Sequence, residues 1–287
     1  MKEAFLALAA AGSLFAHAAG FPVKPRTCYE ATFRTRVVRG PNIEDSPHLV
    51  DVMPLCASRA TVLGVRFCAV QWRFLDAGGR VIPRPVENAS PQTVFSREWK
   101  TYRYRFWTPD EAARFEMFPM NGARDNKAEL ADVTVREMPP RAGEPLNFNG
   151  DFSAADDMPL GWQLLGTALF HNISPGNSAV NTMDGHLVGD LFPVTPGASV
   201  RLAATCSDPI IIGSHHTQTN FRIGFYASFA DAADKGKAHR VAEPPVSAKG
   251  RHAAAEHVFR VPDGMRWARI SAWHGIAEKA TVTEVGQ

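Results

Sequence analysis

Past its first twenty residues the chain has no apolar run of bilayer length, about twenty residues, so no membrane-spanning helix is expected. Charge of one sign is equally scarce. Lys and Arg total 31 against 29 Asp and Glu, a net charge of +2, and the two signs are mixed along the chain. Nucleic acids and acidic polymers are held by concentrated basic charge, so neither is an expected partner. Cysteine is rare: Cys28, Cys56, Cys68 and Cys206. No two of them form a CxxC pair, which removes the common zinc pattern. There is no GxSxG elbow, no HExxH and no Walker loop, and so no familiar catalytic motif. Long amphipathic helices with caps are missing as well.

The first residues are of a different kind. Lys2 precedes the apolar run Ala4 to Ala11, and Ala16-His17-Ala18 then supplies small-x-small. This is the pattern of a secretory signal over residues 1–19, cut near Ala18 or Ala19. A secreted or periplasmic protein is expected. Export permits disulfides, and four cysteines allow three pairings. Alternation also places Cys68 and Cys206 on apolar strand faces, where free buried thiols are the other reading.

Proline and glycine, 21 and 22 residues, punctuate short runs rich in Val, Phe, Thr and Tyr. That pattern predicts an all-β fold of many short strands. The chain also repeats itself in order. "FPVKP" at Phe21 returns as "FPVTP" at Phe192. "RFLDAGGR" at Arg73 is matched to "SFADAADK" at Ser228. "RFWTPDEAARFEMFPMNG" at Arg105 returns as "VFRVPDGMRWARISAWHG" at Val258. Both halves close on a Thr/Val-rich run, at Leu130 and Lys279. Two domains of one fold are expected, 20–140 and 141–287, each with its own core. "NFNGDFSAADDMPLGW" at Asn147 opens the second as a first strand and loop and has no copy in the first. The first domain therefore lacks the opening strands, and its open edge is expected to be covered by the partner domain or another chain.

The order "NGDFS…GW", "PVTPGASVRLAAT", "FRIGFYASF", "FRVPDGMRWARISAW" resembles galactose-binding-like jelly-roll domains. More narrowly, it is similar to the carbohydrate-binding modules appended to secreted bacterial polysaccharide-degrading enzymes. Ser153 stands where that group often has an acidic residue, and Val200 where it has an aromatic. The resemblance implies two tandem β-sandwich domains and a non-catalytic carbohydrate-binding protein. Its partner would be a polysaccharide or glycan, with a separate glycoside hydrolase or a second copy of itself alongside. The competing class is a structural or assembly protein that uses the same aromatic face for protein contact. Relatives of this fold can hold a structural calcium near the opening strand. Asn149 and Asp151 stand there, but calcium takes six or more oxygens and these are two donors. No other cofactor is expected.

Acidic pairs occur at Asp156-Asp157 and Glu44-Asp45, but sequence adjacency does not set two carboxylates across a sugar. His215-His216 would point to opposite faces of a strand. Aromatic planes beside planar polar groups suit sugar binding better. In the late strand, alternation puts Ala268, Ile270 and Ala272 on one face and Trp267, Arg269, Ser271 and Trp273 on the other. In Phe221 to Phe229, the outward set is Arg222, Tyr226 and Ser228. Trp267, Arg269, Trp273, Tyr226 and Arg222 are the expected carbohydrate-binding residues, with burial under loops or against the first domain as the alternative for the tryptophans. Trp162 is expected to plug the core. Gln71, Arg73, Arg103, Arg105, Trp107 and Arg114 are expected on the first domain's outward faces.

Overall fold

The computed structural model describes residues 19–39, 68–83, 92–94, 96–121, 127–141, 143–155, 160–166, 169–174, 177–182, 185–207, 218–233, 240–241, 245–249 and 253–285. Seven strands lie before residue 138: β1 (Ala19–Pro22), β2 (Cys28–Arg39), β3 (Cys68–Leu75), β4 (Gln92–Thr93), β5 (Lys100–Trp107), β6 (Arg114–Asn121) and β7 (Lys127–Glu137). Four short ones follow: β8 (Trp162–Gly166), β9 (Leu169–Ser174), β10 (Asn177–Asn181) and β11 (Gly185–Gly189). The chain closes with β12 (Phe192–Pro193), β13 (Ser199–Ser207), β14 (Gln218–Tyr226), β15 (Arg240–Val241), β16 (Val246–Lys249), β17 (Ala253–Arg260), β18 (Trp267–Trp273) and β19 (Ile276–Val285). The fold is all-β, as the sequence predicts.

The strands make two sandwiches. In the first, a four-stranded sheet ordered β1-β6-β3-β4 faces a three-stranded sheet ordered β5-β2-β7. In the second, a seven-stranded sheet runs β15-β14-β18-β11-β8, with β12 on β18 and β16 on β14. It faces a five-stranded sheet ordered β17-β13-β19-β10-β9. Among the described residues, no sheet draws strands from both halves.

Strand for strand, the second sandwich contains the first. β4-β3-β6-β1 corresponds to β16-β14-β18-β12, and β5-β2-β7 to β17-β13-β19. Register confirms it at residue level. Phe21 sits opposite Phe115, and Phe192 opposite Ala268; Tyr29 sits opposite Phe106, and Val200 opposite Phe259. Among the described residues, the first sandwich has no counterpart of β8 to β11, the strands of the second that come before "FPVTP". The "RFLDAGGR" match is displaced. Leu75 pairs with Arg114 as Tyr226 pairs with Trp267, so Asp76 and Asp231 correspond only across an insertion, residues 227–230, in the second copy.

Alternation explains each layer. Val200, Leu202, Ala204 and Cys206 of β13 meet Phe221, Ile223 and Phe225 of β14 and Ala268, Ile270 and Ala272 of β18 in one core. Each buried aromatic or branched side chain there contributes about 1.5–3 kcal/mol. The first sandwich's core is not its own. Phe33, Trp72, Phe74, Tyr104, Phe106 and Phe115 pack together with Tyr226, Phe229 and Trp267 of the second. The second sandwich's core is a separate cluster, while the first sandwich's core extends onto the second.

The stretch from Asn147 is a looped cap along β19 rather than a strand. Leu146 N–H donates to Val282 O. Asn147 Nδ2 donates to Ala280 O at 2.9 Å, and its Oδ1 accepts from Val282 N at 2.7 Å. Gly150 is required by this close approach: a Cβ there would lie 2.5 Å from Ala280 O. Asn149 O accepts from Trp162 Nε1 at 2.7 Å, and Trp162 packs edge-on to Phe152 in the core, as expected of a plug.

Candidate functional site

The five expected binding residues do share one face of the seven-stranded sheet. Register lines them up in rows: Tyr226 opposite Trp267, Gly224 opposite Arg269, Arg222 opposite Ser271, and Asn220 opposite Trp273. Among the described residues, the first sandwich covers one end of that face and not the other.

At the covered end, Trp267 is 0% exposed and Tyr226 5%. The Trp267 ring meets Phe229 edge-on at 5.3 Å, and Phe229 in turn meets Phe74. Its Nε1 donates to Asp110 Oδ2 at 2.9 Å, and the Arg26 guanidinium lies 5.5 Å from the ring centre. Arg26 also pairs with Asp110 at 3.3 Å. Nearby, the Tyr104 hydroxyl donates to Asp190. The expectation that Trp267 and Trp273 are exposed together is therefore corrected. Alternation identified the face, but contact with the first sandwich decided what covers it. Arg269 forms the boundary: its Nε donates to the Tyr226 hydroxyl at 2.9 Å, and its guanidinium lies 5.3 Å from the Tyr226 ring.

At the open end, Trp273 is half-buried in β18, and the Arg222 guanidinium lies 4.8 Å from its ring centre. Such stacking fixes a flexible side chain, at a gain of about 0.5–1 kcal/mol for an exposed pair. The same row continues on both sides. His186 of β11 and Asn220 of β14 lie directly opposite Trp273, Leu165 lies opposite His186, and Ser247 lies opposite Asn220. Ser247 Oγ donates to Asn220 Oδ1 at 2.7 Å, which sets the amide's orientation. Sequence reasoning missed Asn220, His186 and Ser247. Extending the β14 alternation two residues back from Arg222 would have found Asn220.

Other candidates resolve differently. Asn149 Oδ1 accepts from Ala154 N, its Nδ2 donates to Leu160 O, and Asp151 accepts from Ser153. These bonds shape the loop. Cys28 and Cys206 are buried free thiols, and burial pushes Cys28 up to about 11. Of the first sandwich's outward residues, Arg103 and Arg114 are exposed. Arg73 pairs with Glu116 and Arg105 with Glu144, while Trp107 donates to Leu146 O. Glu44-Asp45, Asp156-Asp157, His215-His216 and Cys56 lie outside the described residues, as does the Cys68 side chain. Among the described residues, no helix is long and apolar enough to cross a membrane.

No protein-family model matches the chain, and no curated protein matches its sequence. Among solved structures it is similar to a tandem pair of CBM22 modules from Paenibacillus barcinonensis. That pair is 13% identical, with 92% of this chain and 80% of that one covered and a TM-score of 0.34. It is also similar to the tandem CBM51 modules of a family 98 glycoside hydrolase from Streptococcus pneumoniae, at 10% identity, 93% and 80% coverage and a TM-score of 0.25. The ANXUR1 extracellular domain from Arabidopsis thaliana is 8% identical, with 94% and 81% covered and a TM-score of 0.25.

Proposed function

We propose that this is a secreted, non-catalytic glycan-binding protein whose site is the open end of the second sandwich's larger sheet. One observation carries the reading: Trp273, half-buried on the outer face, has the Arg222 guanidinium stacked on it at 4.8 Å, with Asn220 and His186 directly beside it. The part of the indole that Arg222 leaves uncovered would meet the C–H face of a pyranose, and the guanidinium and the exposed His186 imidazole would take its hydroxyls. Tyr226 and Arg269 support the site from behind. Trp267 holds the first sandwich in place and is not part of the binding surface. The aromatic face does serve protein contact, but within the chain. A glycan is therefore the partner proposed for what remains of it. A glycoside hydrolase carried on another chain is the protein that such binding would serve.

Three described carboxylates are held as anions by their neighbours. Asp76 is held below its ordinary range by the Arg80 backbone N–H and side chain, and Glu144 by the Arg141 backbone N–H and the Arg105 side chain. Partial burial pushes Glu129 up, but its bonds to Arg36 and Lys127 outweigh this and hold it down.

The test is a glycan array and pull-down on insoluble polysaccharides, followed by Trp273→Ala. An aromatic anchor is commonly worth about 2 kcal/mol, so affinity should fall more than tenfold, with melting measured alongside so that binding is compared on folded protein. If the variant stays folded and binds as before, the site lies elsewhere.

A further inference from the structure

We infer that the outer edge of β7 pairs antiparallel with β7 of a second molecule of this chain, about a two-fold axis between Asp132 and Val133. The two molecules would then join their three-stranded sheets edge to edge.

The duplication inside the chain shows what this edge lacks. Val135 lies opposite Ala31 as Val282 lies opposite Leu202, and Leu130 opposite Thr35 as Ala277 opposite Cys206. β7 is therefore the counterpart of β19. The outer side of β19 is covered along its length. Val180 of β10 pairs with Ala277, while Leu146, Asn147 and Gly150 bond the backbone of Val282 and Ala280. Ala277, Ala280 and Val282 are accordingly 0% exposed. Among the described residues no strand and no such cap bonds the outer side of β7. Leu130, Val133 and Val135 are only half-buried. The second sandwich docks elsewhere, on Phe74 of β3, Tyr104 of β5 and Asp110.

Two features separate β7 from an edge that is shut. On β6, Pro119 stands where Ala272 pairs with Leu187 in the second sandwich, and a proline has no N–H to offer an added strand. β7 contains no proline. It is bulged beside Asp132, at φ 50, and bulges often shield an edge. Yet β19 carries a bulge one residue further along and still takes β10 and the cap.

A second molecule fits because β7 complements itself. With Leu130 opposite the partner's Val135, the two bulges meet at the axis and the apolar side chains point inward on both sides. Glu129 then faces the partner's Arg136, and Ala131 the partner's Thr134. Each pairing occurs twice, with no like charges directly opposite, the arrangement that stabilises a ladder. Asp132, near the axis, is already bonded to Arg34 at 2.9 Å. Changing the register by two residues either sets Lys127 against Arg136 or leaves Glu129 without a basic partner.

The experiment is sedimentation equilibrium of the exported protein, in which the mass should double as concentration rises. By the equivalence with Val282, the Val135 N–H points away from β2. Val135→Pro therefore spares the bonds to β2 and should weaken the dimer at least tenfold. Mixed Ala131→Cys and Thr134→Cys proteins should form an interchain disulfide under mild copper-catalysed oxidation. Directly opposite Cα atoms are ~4.5–5.5 Å apart, within disulfide reach. Neither variant alone should crosslink faster than the parent, because like positions lie roughly 10 Å apart across the axis. The mixture tests the register even if the proline variant does not fold. A protein that stays monomeric at every concentration would overturn the inference. So would a dimer that Val135→Pro leaves unweakened, or a mixture that crosslinks no faster than either variant alone. None of these results bears on the glycan-binding reading.

Discussion

Replacing Trp267 by Ala should separate packing from binding on a face that alternation alone treats as uniform. The ring is fully buried, meets Phe229 at 5.3 Å, lies 5.5 Å from the Arg26 guanidinium, and donates to Asp110 at 2.9 Å. Truncating a buried Trp costs about 3–5 kcal/mol. Asp110 keeps Arg26 as a partner, so no large penalty for an orphaned carboxylate is added. For a chain of this size each kcal/mol shifts melting by about 2–3 °C, so the variant should melt roughly 6–15 °C lower. The transition should remain single, because Trp267 belongs to the core that joins the two sandwiches. A double-mutant cycle with Asp110→Ala should return a coupling of about 1–2 kcal/mol, as expected for residues in contact. The assay is calorimetry or circular dichroism, with glycan binding measured on the fraction still folded. Melting within a degree or two of the parent, or zero coupling to Asp110, would refute the docked arrangement.

Two further outcomes follow from the buried thiol and the N-terminus. Burial raises Cys28 from 9.0 to about 11, so above about pH 9 the unfolded chain gives up a proton that the folded one keeps. The contribution is fully present below about pH 9 and is lost as pH rises to about 11, a loss of roughly 2–3 kcal/mol at about 1.4 kcal/mol per unit. Urea titrations of the parent and Cys28→Ala at about pH 8 and about pH 10.5 should show the smaller alkaline loss in the variant, and parallel losses would refute the assignment. On export from a bacterial host, intact mass should show residues 1–18 removed; retention of Met1 to Ala18 in exported protein would contradict the secretory reading.

The sheet faces were legible because alternation is a local property. Phe221, Ile223 and Phe225 point inward, and Arg222 outward, for reasons contained within β14. The duplication was legible for the same reason: strand pairs repeat their hydrophobic spacing. Which outward face meets solvent was not legible, because it depends on how one sandwich docks on the other, and no period encodes that. The displaced "RFLDAGGR" match had the same cause. Residues 227–230 interrupt the repeat, and one of them, Phe229, packs between Phe74 and Trp267. The Asn149 amide bonds to its own loop, a role its residue type alone does not announce.

The duplication also separates the uses of the face. At several positions where the two copies differ, the difference builds the contact between them. Trp267 replaces the equivalent of Arg114, as the pairings of Pro193 and Pro22 show. Phe229 is inserted. Arg26 holds a left-handed backbone at φ 48 where the second copy has Gly197 at φ 79, a conformation costing a non-glycine residue about 1–3 kcal/mol, and its side chain bridges Asp110 and Trp267. Two further differences lie at the uncovered end: Arg222 stands where the first copy has Gln71, and Trp273 where it has Met120. Those two pack on each other and face outward. Docking of the first sandwich accounts for Trp267, Phe229 and Arg26. It does not account for the arginine packed on Trp273 at the other end of the face.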